Sequence, residues 1–102
     1  MQFNGYLNTI LNYARSGTAD DIDLIMNDLT LESSLPTTRY IDFALSCVTT
    51  TEGINRIKHY LFNGSQIQRN YACLFFNRMH EWPIVKKAFD LGLIDEIQAY
   101  SR

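Results

Sequence analysis

The amino-acid sequence predicts an all-α protein built of three helical hairpins and a short closing helix at the C-terminal end of the chain. Apolar residues recur at three- and four-residue steps, and helix start and stop signals separate these runs. Aromatic-alanine steps and glycines repeat at an offset of 28 residues, which indicates repeated helix pairs. No segment alternates polar and apolar residues over the length of a strand, so we expect no sheet.

The first hairpin is predicted from two helices separated by Gly17, a residue typical of helix ends. The first helix spans about 4–16. Thr18 precedes Asp21 by three residues in a capping-box-like arrangement, so it starts a second helix that continues to about Leu31. The apolar positions expected in the core are Leu7, Ile10, Leu11, Ala14, Ile22, Ile25, Met26 and Leu29.

The second hairpin begins after a polar loop. Leu35 is biased away from helical geometry by the proline that follows it, so the third helix should begin at Pro36 or within the next two residues. One of the threonines at 49–51 should cap the fourth helix, and Gly64 should end it. Gly53 lies in the first turn of the fourth helix, where a glycine costs little. The apolar positions are Tyr40, Ile41, Phe43, Ala44, Leu45, Cys47 and Val48, then Ile54, Ile57, the alkyl stem of Lys58, and Leu61.

The third hairpin carries the clearest helix signals. Ser65 is placed to cap a fifth helix that extends to about Met79, and Pro83 suits the first turn of a sixth helix. The sixth helix should end near Leu91, with Gly92 in the left-handed conformation. The apolar positions are Ile67, Tyr71, Ala72, Leu74, Phe75, Phe76 and Met79 in the fifth helix and Ile84, Val85, Ala88, Phe89 and Leu91 in the sixth.

A wide apolar surface leaves the predicted fifth helix with a single polar strip, as expected for a helix that has neighbours on several sides. The strip consists of Gln66, Arg69, Asn70, Cys73 and Asn77. After the sixth helix, a last short helix should close the exposed end of the core. Its apolar positions are Leu93, Ile94, Ile97 and Tyr100.

Length and charge constrain the class of protein. With 102 residues, 46% of them hydrophobic, the chain is predicted to form one domain, 1–102. Its net charge of -2 argues against general binding to nucleic acid or acidic membranes, although residues 51–102 hold seven basic and five acidic side chains. No membrane span or signal-peptide pattern occurs, so we expect a cytoplasmic protein that does not bind membranes. Cys47 and Cys73 lack CxxC spacing and are expected to be reduced thiols.

No pattern in the chain predicts an active site or a metal site. His80 and Glu81 begin a zinc-protease-like motif, but Ile84 stands where that motif needs its second histidine. His59 is expected to be solvated. The aspartates at 20–28 lack the glycine and final glutamate of a calcium loop, and they suit the start of a helix instead. We therefore predict no enzymatic activity, no cofactor and no bound metal.

The helix pairs repeat in sequence. At the 28-residue offset, the aligned positions are Gly64 with Gly92, Phe43-Ala44 with Tyr71-Ala72, Ile57 with Val85, Lys58 with Lys86, and Leu61 with Phe89. In this pattern, and most closely in Arg69-Asn70-Tyr71-Ala72 and Gly92-Leu93-Ile94-Asp95, the chain resembles the HEAT-like and armadillo-like helical repeats. The resemblance implies a right-handed α-α superhelix that serves as a protein-binding or scaffolding surface, and it implies no catalytic residue.

The partner-binding residues are predicted in the third hairpin. Arg69 and Asn70 lie on the polar strip of the fifth helix, where they either face a groove or pair with Asp42 or another acid. With Arg78 and Trp82 they form our candidate set for binding another protein, and a second copy of the chain is one such partner. The alternative function is nucleic-acid binding, which would use the basic side chains of Arg56, Lys58, Arg69, Arg78, Lys86 and Lys87.

Overall fold

Seven α-helices follow one another in the computed structural model, which describes residues 5–100. They are α1 (Gly5–Ser16), α2 (Ala19–Met26), α3 (Leu35–Ser46), α4 (Thr51–Asn63), α5 (Gln66–Arg78), α6 (Trp82–Asp90) and α7 (Glu96–Ala99). No strand occurs between residues 5 and 100, so the all-α prediction is confirmed there. The expected start of the first helix at Asn4 lies outside the described residues.

The chain divides into two compact units, one up to Ile57 and one from Lys58 onward, and the dividing point falls within α4. In the first unit, α1 packs against α2 and α3. In the second, α5, α6 and α7 pack against one another. All of the apolar positions predicted for α1 and α2 are buried, which confirms the predicted core of this pair.

The connection between α1 and α2 follows the sequence signals, whereas the end of α2 does not. Gly17 adopts φ +64°, and the Thr18 side chain accepts a hydrogen bond from the Asp21 backbone N–H at 3.2 Å. The helix ends at Met26, so the prediction of a helix to Leu31 is wrong. Ser33 Oγ donates to the Asp28 carbonyl at 2.6 Å and accepts from the Thr30 N–H at 2.9 Å. Such side-chain bonds compete with helical hydrogen bonds and hold this segment in turns.

The start of α3 and the direction of one side chain in α4 differ from the prediction. Helix α3 begins at Leu35, one residue before the expected start, because Ser34 Oγ accepts from the Thr37 N–H at 3.3 Å and caps the helix there. The cap outweighs the preference of a pre-proline residue for extended geometry. Lys58 is exposed, so its stem is not directed inward as predicted, whereas Ile57 is buried as predicted.

Gly53 lies in the first turn of α4, as predicted, and close packing requires a glycine at this position. A Cβ atom at Gly53 would lie 2.7 Å from both Thr50 Oγ1 and Val48 Cγ1. Thr50 Oγ1 accepts from the Gly53 N–H at 3.0 Å and donates to the Gly17 carbonyl at 2.7 Å. Thr50 is therefore the predicted threonine cap of α4, and it also ties α4 to the connection between α1 and α2.

Three residues predicted in apolar helix faces are exposed because each lies at the C-cap of its helix. They are Met79, Leu91 and Tyr100. The chain leaves the helical direction at a C-cap, so the periodicity of the preceding turns no longer places the side chain. Ile97 of α7 is also exposed, against the prediction. Gly92 adopts φ +76° after α6, as predicted.

We expect that Ser65→Ala lowers the free energy of unfolding by about 1 kcal/mol, because α5 would lose its N-cap. Ser65 Oγ accepts from the Gln68 N–H at 3.3 Å, and the Gln68 side chain accepts from the Ser65 N–H at 2.8 Å, which completes a capping box. Urea denaturation followed by circular dichroism measures the loss. Ser65→Thr keeps a cap oxygen and serves as the control, so equal losses in both variants would contradict this role.

Candidate functional site

The polar strip of α5 faces the C-terminal segment of the chain. Arg69 Nε donates to the Leu93 carbonyl at 2.7 Å, and Arg69 Nη1 donates to the Gly64 carbonyl at 2.9 Å. The guanidinium is half-buried. The sequence suggested that Arg69 either faces a groove or pairs with an acidic side chain. In the structure, its hydrogen bonds go to backbone carbonyls instead. Arg69 thus binds the chain just before α5, at Gly64, and just after α6, at Leu93.

Two further members of the strip reach the same segment one and two helical turns later. Asn77 Nδ2 donates to the Gln98 carbonyl at 3.0 Å, and Cys73 Sγ donates to the same oxygen at 3.3 Å. Both side chains are buried. Burial raises the pKa of the Cys73 thiol to about 11, with a smaller contribution from the charge of Asp95. The thiol is therefore protonated at neutral pH and available as a donor.

Asn70 belongs to the same strip but has a different environment. Its residue is half-buried, but the side-chain oxygen Oδ1 is buried and accepts no hydrogen bond from any residue between 5 and 100. Asn70 also lines a pocket of about 260 Å³ together with Tyr71, Leu74 and Gln98. Asn70 and Arg69, both in the candidate set, therefore have different surroundings: Arg69 binds backbone carbonyls, whereas Asn70 lines a pocket.

Arg78 and Trp82 lie at the turn between α5 and α6. Arg78 is exposed at the last position of α5. Trp82 is the first residue of α6 and is 45% exposed, with its ring edge-on to the His80 ring at a centroid distance of 5.3 Å. His80 adopts φ 60°, a left-handed conformation that reverses the chain between the helices. Trp82 is thereby presented at the start of α6 with much of its ring facing solvent.

An open apolar groove lies beside Trp82, between α6 and α7. It has a volume of about 440 Å³ and is lined by Trp82, Pro83, Val85, Lys86, Phe89, Ala99 and Tyr100. We call it the α6–α7 groove. The rings of Phe89 and Tyr100 are tilted by 59° with centroids 6.5 Å apart, and Tyr100 is 63% exposed. Aromatic walls that remain open to solvent are typical of binding sites for apolar groups.

Three of the seven lining residues, Val85, Phe89 and Tyr100, were expected on a buried face. Phe89 was expected in the core of the sixth helix, and Tyr100 in that of the closing helix. Of the three aromatic rings in the groove wall, only Trp82 was in the candidate set for partner binding. A helix as short as α7, with four residues, covers only part of the neighbouring helix, and the remainder of that surface forms the groove.

Charge around the groove is basic but partly paired. Lys86 Nζ contacts Asp90 Oδ2 at 2.8 Å, one helical turn away, and this bond raises the pKa of the fully exposed lysine. The Lys87 ammonium lies over the Phe62 ring, 5.8 Å from its centroid. The sequence from residue 58 onward holds six basic and four acidic side chains, so its net charge is positive. Among residues 5–100, the rim of the groove thus carries one lysine, Lys86, which is paired with Asp90 at the surface.

Within residues 5–100, no group of three or more histidine, cysteine, aspartate or glutamate side chains is placed to hold a metal ion. His59 is exposed, as expected, and lies near Asn63 on the same helix. No helix in this part of the chain is long and apolar enough to cross a membrane. The chain matches no protein-family model, and no curated protein or solved structure is significantly similar to it.

Proposed function

We propose that this chain is a small protein-binding or scaffolding helical-repeat domain without catalytic activity, and that the α6–α7 groove holds the partner. The observation that carries the proposal is an open groove of about 440 Å³ with three aromatic rings in its wall. Two of them, Trp82 and Tyr100, are substantially exposed. Tryptophan and tyrosine are the residues most often responsible for binding energy at protein interfaces.

The charge of the groove rim specifies the chemistry of the partner. An aliphatic or aromatic side chain would enter the groove, and a neighbouring carboxylate would meet Lys86. The existing pair between Lys86 and Asp90 lies on the surface, with 74% and 54% of the side chains exposed. Exposed pairs of this kind contribute little to stability, so exchange of Asp90 for a partner carboxylate has a small cost. We propose a peptide segment with one large apolar residue and an adjacent acid.

The finer architecture belongs to the same proposal. We propose that the helices form a right-handed α-α superhelix of the HEAT-like or armadillo-like kind in a cytoplasmic protein. Supporting it, α1 packs on α2 and α5 packs on α6, and each pair is joined by two or three residues. Such short connections make consecutive helices antiparallel neighbours. A second copy of the chain is one partner compatible with this arrangement.

Several pairings favour protein binding over the alternative of nucleic-acid binding. Of the basic residues that the alternative requires, Arg69 holds two backbone carbonyls and Lys86 pairs with Asp90. Arg56 makes a bidentate contact with Asp23 at 2.6 and 3.0 Å. A nucleic-acid phosphate would have to compete with these existing partners for each of the three side chains.

We expect that Trp82→Ala weakens binding of a groove-directed peptide by at least about tenfold, as for a central aromatic residue of an interface. Peptides would be selected from a random library against the full chain, synthesised, and measured by calorimetry with the wild type and the variant. The selected sequences should share a large apolar residue next to an acid, and Lys86→Glu should also weaken their binding.

Leu24→Ala is the matched control, because Leu24 is 48% exposed and lies in α2, in the other unit of the chain. It should leave the peptide affinity unchanged. Selected peptides that bind Trp82→Ala as tightly as the wild type, or that lack the apolar-acidic pattern, would contradict the proposed site. Retention of a single-stranded oligonucleotide by the wild type, lost on Lys87→Glu, would favour the nucleic-acid alternative.

A further inference from the structure

The pocket beside Asn70 is a second site, distinct from the α6–α7 groove. It has a volume of about 260 Å³ and is lined by Asn70 and Tyr71 and Leu74 of α5 together with Gln98 of α7. Its wall contains two amide side chains, one aromatic ring and one aliphatic group, and no charged residue. A few polar groups in an otherwise apolar lining are typical of small-molecule sites.

Asn70 Oδ1 is a buried acceptor without a donor among residues 5–100. Native structures leave few such atoms unpaired, because burial removes the hydrogen bond to water without replacing it. Asn77 Oδ1 is also unpaired, but its residue is only 1% exposed and it does not line the pocket. Asn70, unlike Asn77, is half-buried and lines the pocket, although Oδ1 itself is buried.

Gln98 of α7, which also lines the pocket, offers the complementary group. Gln98 Oε1 accepts a hydrogen bond from the Asp95 N–H at 3.2 Å, which anchors the carbonyl end of that side chain in the capping box of α7. Its NH2 group takes no part in that bond. The pocket is thus lined by one residue whose amide oxygen lacks a donor and by one whose amide nitrogen can donate, together with Tyr71.

We propose that this pocket binds a small neutral ligand with a planar amide group, whose N–H donates to Asn70 Oδ1 and whose carbonyl accepts from the Gln98 NH2 group. Rotation about the terminal side-chain torsion, which is broad for asparagine, turns Oδ1 toward the ligand. The volume lies below the usual range of about 300–1,000 Å³ for drug-sized ligands, so a single small ring is the expected size. An uncharged lining selects a neutral ligand, since a buried unpaired charge is costly. This site does not depend on the function proposed for the α6–α7 groove.

The test is a titration of the ¹⁵N-labelled full chain with 2-pyrrolidinone, a five-membered ring that carries both N–H and C=O. We expect saturable shifts confined to the backbone amides of Asn70, Tyr71, Leu74 and Gln98. N-Methyl-2-pyrrolidinone keeps the ring and the carbonyl but has no N–H. It should bind at least about tenfold more weakly, because Asn70 Oδ1 would remain unpaired.

Variants separate this site from the groove. Asn70→Leu should abolish the preference for the N–H-bearing ring, whereas Trp82→Ala should leave it unchanged. Equal affinity of the wild type for the two rings would overturn the proposal, and this comparison needs no variant to fold. Absence of saturable shifts at the four residues would also overturn it and would indicate a pocket filled by water only. Neither result bears on peptide binding in the α6–α7 groove.

Discussion

Arg69→Ala is expected to lower the free energy of unfolding by about 2–4 kcal/mol, because it leaves two partly buried carbonyls without their donors at about 1–3 kcal/mol each. The carbonyls belong to Leu93 and Gly64, which receive hydrogen bonds of 2.7 and 2.9 Å. One lies before α7 and the other immediately before the cap of α5. Loss of the guanidinium should therefore loosen the C-terminal segment first.

Urea denaturation gives the change in global stability, and alkylation of Cys73 reports the local opening. The Cys73 thiol is buried, and it donates to the Gln98 carbonyl. Its pKa is raised to about 11, so alkylation at pH 8 should be slow in the wild type. In Arg69→Ala the rate should increase as residues 93–98 open more often. The measurement uses a Cys47→Ser background so that Cys73 is the one thiol that can be alkylated.

Arg69→Lys is the matched control for the charge. A lysine keeps the positive charge but lacks the planar fork that reaches two separate carbonyls, so an intermediate loss of stability is expected. If Arg69→Ala were as stable as the wild type, with unchanged alkylation of Cys73, the guanidinium would not hold the segment. If Arg69→Lys matched the wild type, charge rather than the fork would account for the effect.

Helix starts were predictable because their causes are local. Thr18 and Ser65 each accept from a backbone N–H three residues later, so the cap and its partner are visible in four consecutive residues. The glycine stops at Gly17 and Gly92 are equally local, since both adopt the left-handed conformation that glycine tolerates best. The end of α2 was missed because Ser33 acts from beyond the apolar run on Asp28.

The role of the α5 polar strip could not be predicted from its pattern. A strip of polar residues looks the same in sequence whether it faces water or the backbone of another segment. Arg69 reaches a carbonyl 24 residues further along the chain, and Asn77 reaches one 21 residues away. Only the return of residues 93–98 to the side of α5 creates these partners. The sequence nevertheless drew attention to Arg69 and Asn70, because polar side chains were unexpected within so apolar a helix.

The α6–α7 groove was missed for a related reason. Periodicity placed Phe89 and Tyr100 on apolar faces, and apolar faces were equated with the core. The length of α7 decides how much of that surface is covered, and its four residues bury Ala99 while leaving Ile97 exposed. Helix length past the last stop signal is poorly determined by sequence, since the ends of helices depend on what they pack against.

Gly17→Ala is expected to lower the free energy of unfolding by about 3 kcal/mol or more, from about 1–2 kcal/mol for a left-handed alanine and about 1–3 kcal/mol for overpacking. Gly17 adopts φ +64°, and a Cβ atom there would lie 2.5 Å from Thr50 Cγ2 and 2.9 Å from Thr50 Cβ. Thr50 cannot move freely, because its hydroxyl donates to the Gly17 carbonyl and caps α4 through the Gly53 N–H. The new methyl group would therefore disturb both the connection between α1 and α2 and the start of α4.

Gly92→Ala separates the two causes, because Gly92 adopts φ +76° but an added Cβ would meet nothing within 4 Å. It should lose only the backbone contribution, about 1–2 kcal/mol. The difference between the two variants in urea denaturation then measures the clash with Thr50. Repeating Gly17→Ala in a Thr50→Ala background removes Thr50 Oγ1 and Cγ2 and leaves only the approach to Cβ, so the two changes should be less than additive. Equal losses in Gly17→Ala and Gly92→Ala, or strict additivity with Thr50→Ala, would show that Thr50 does not pack against Gly17 as the structure indicates.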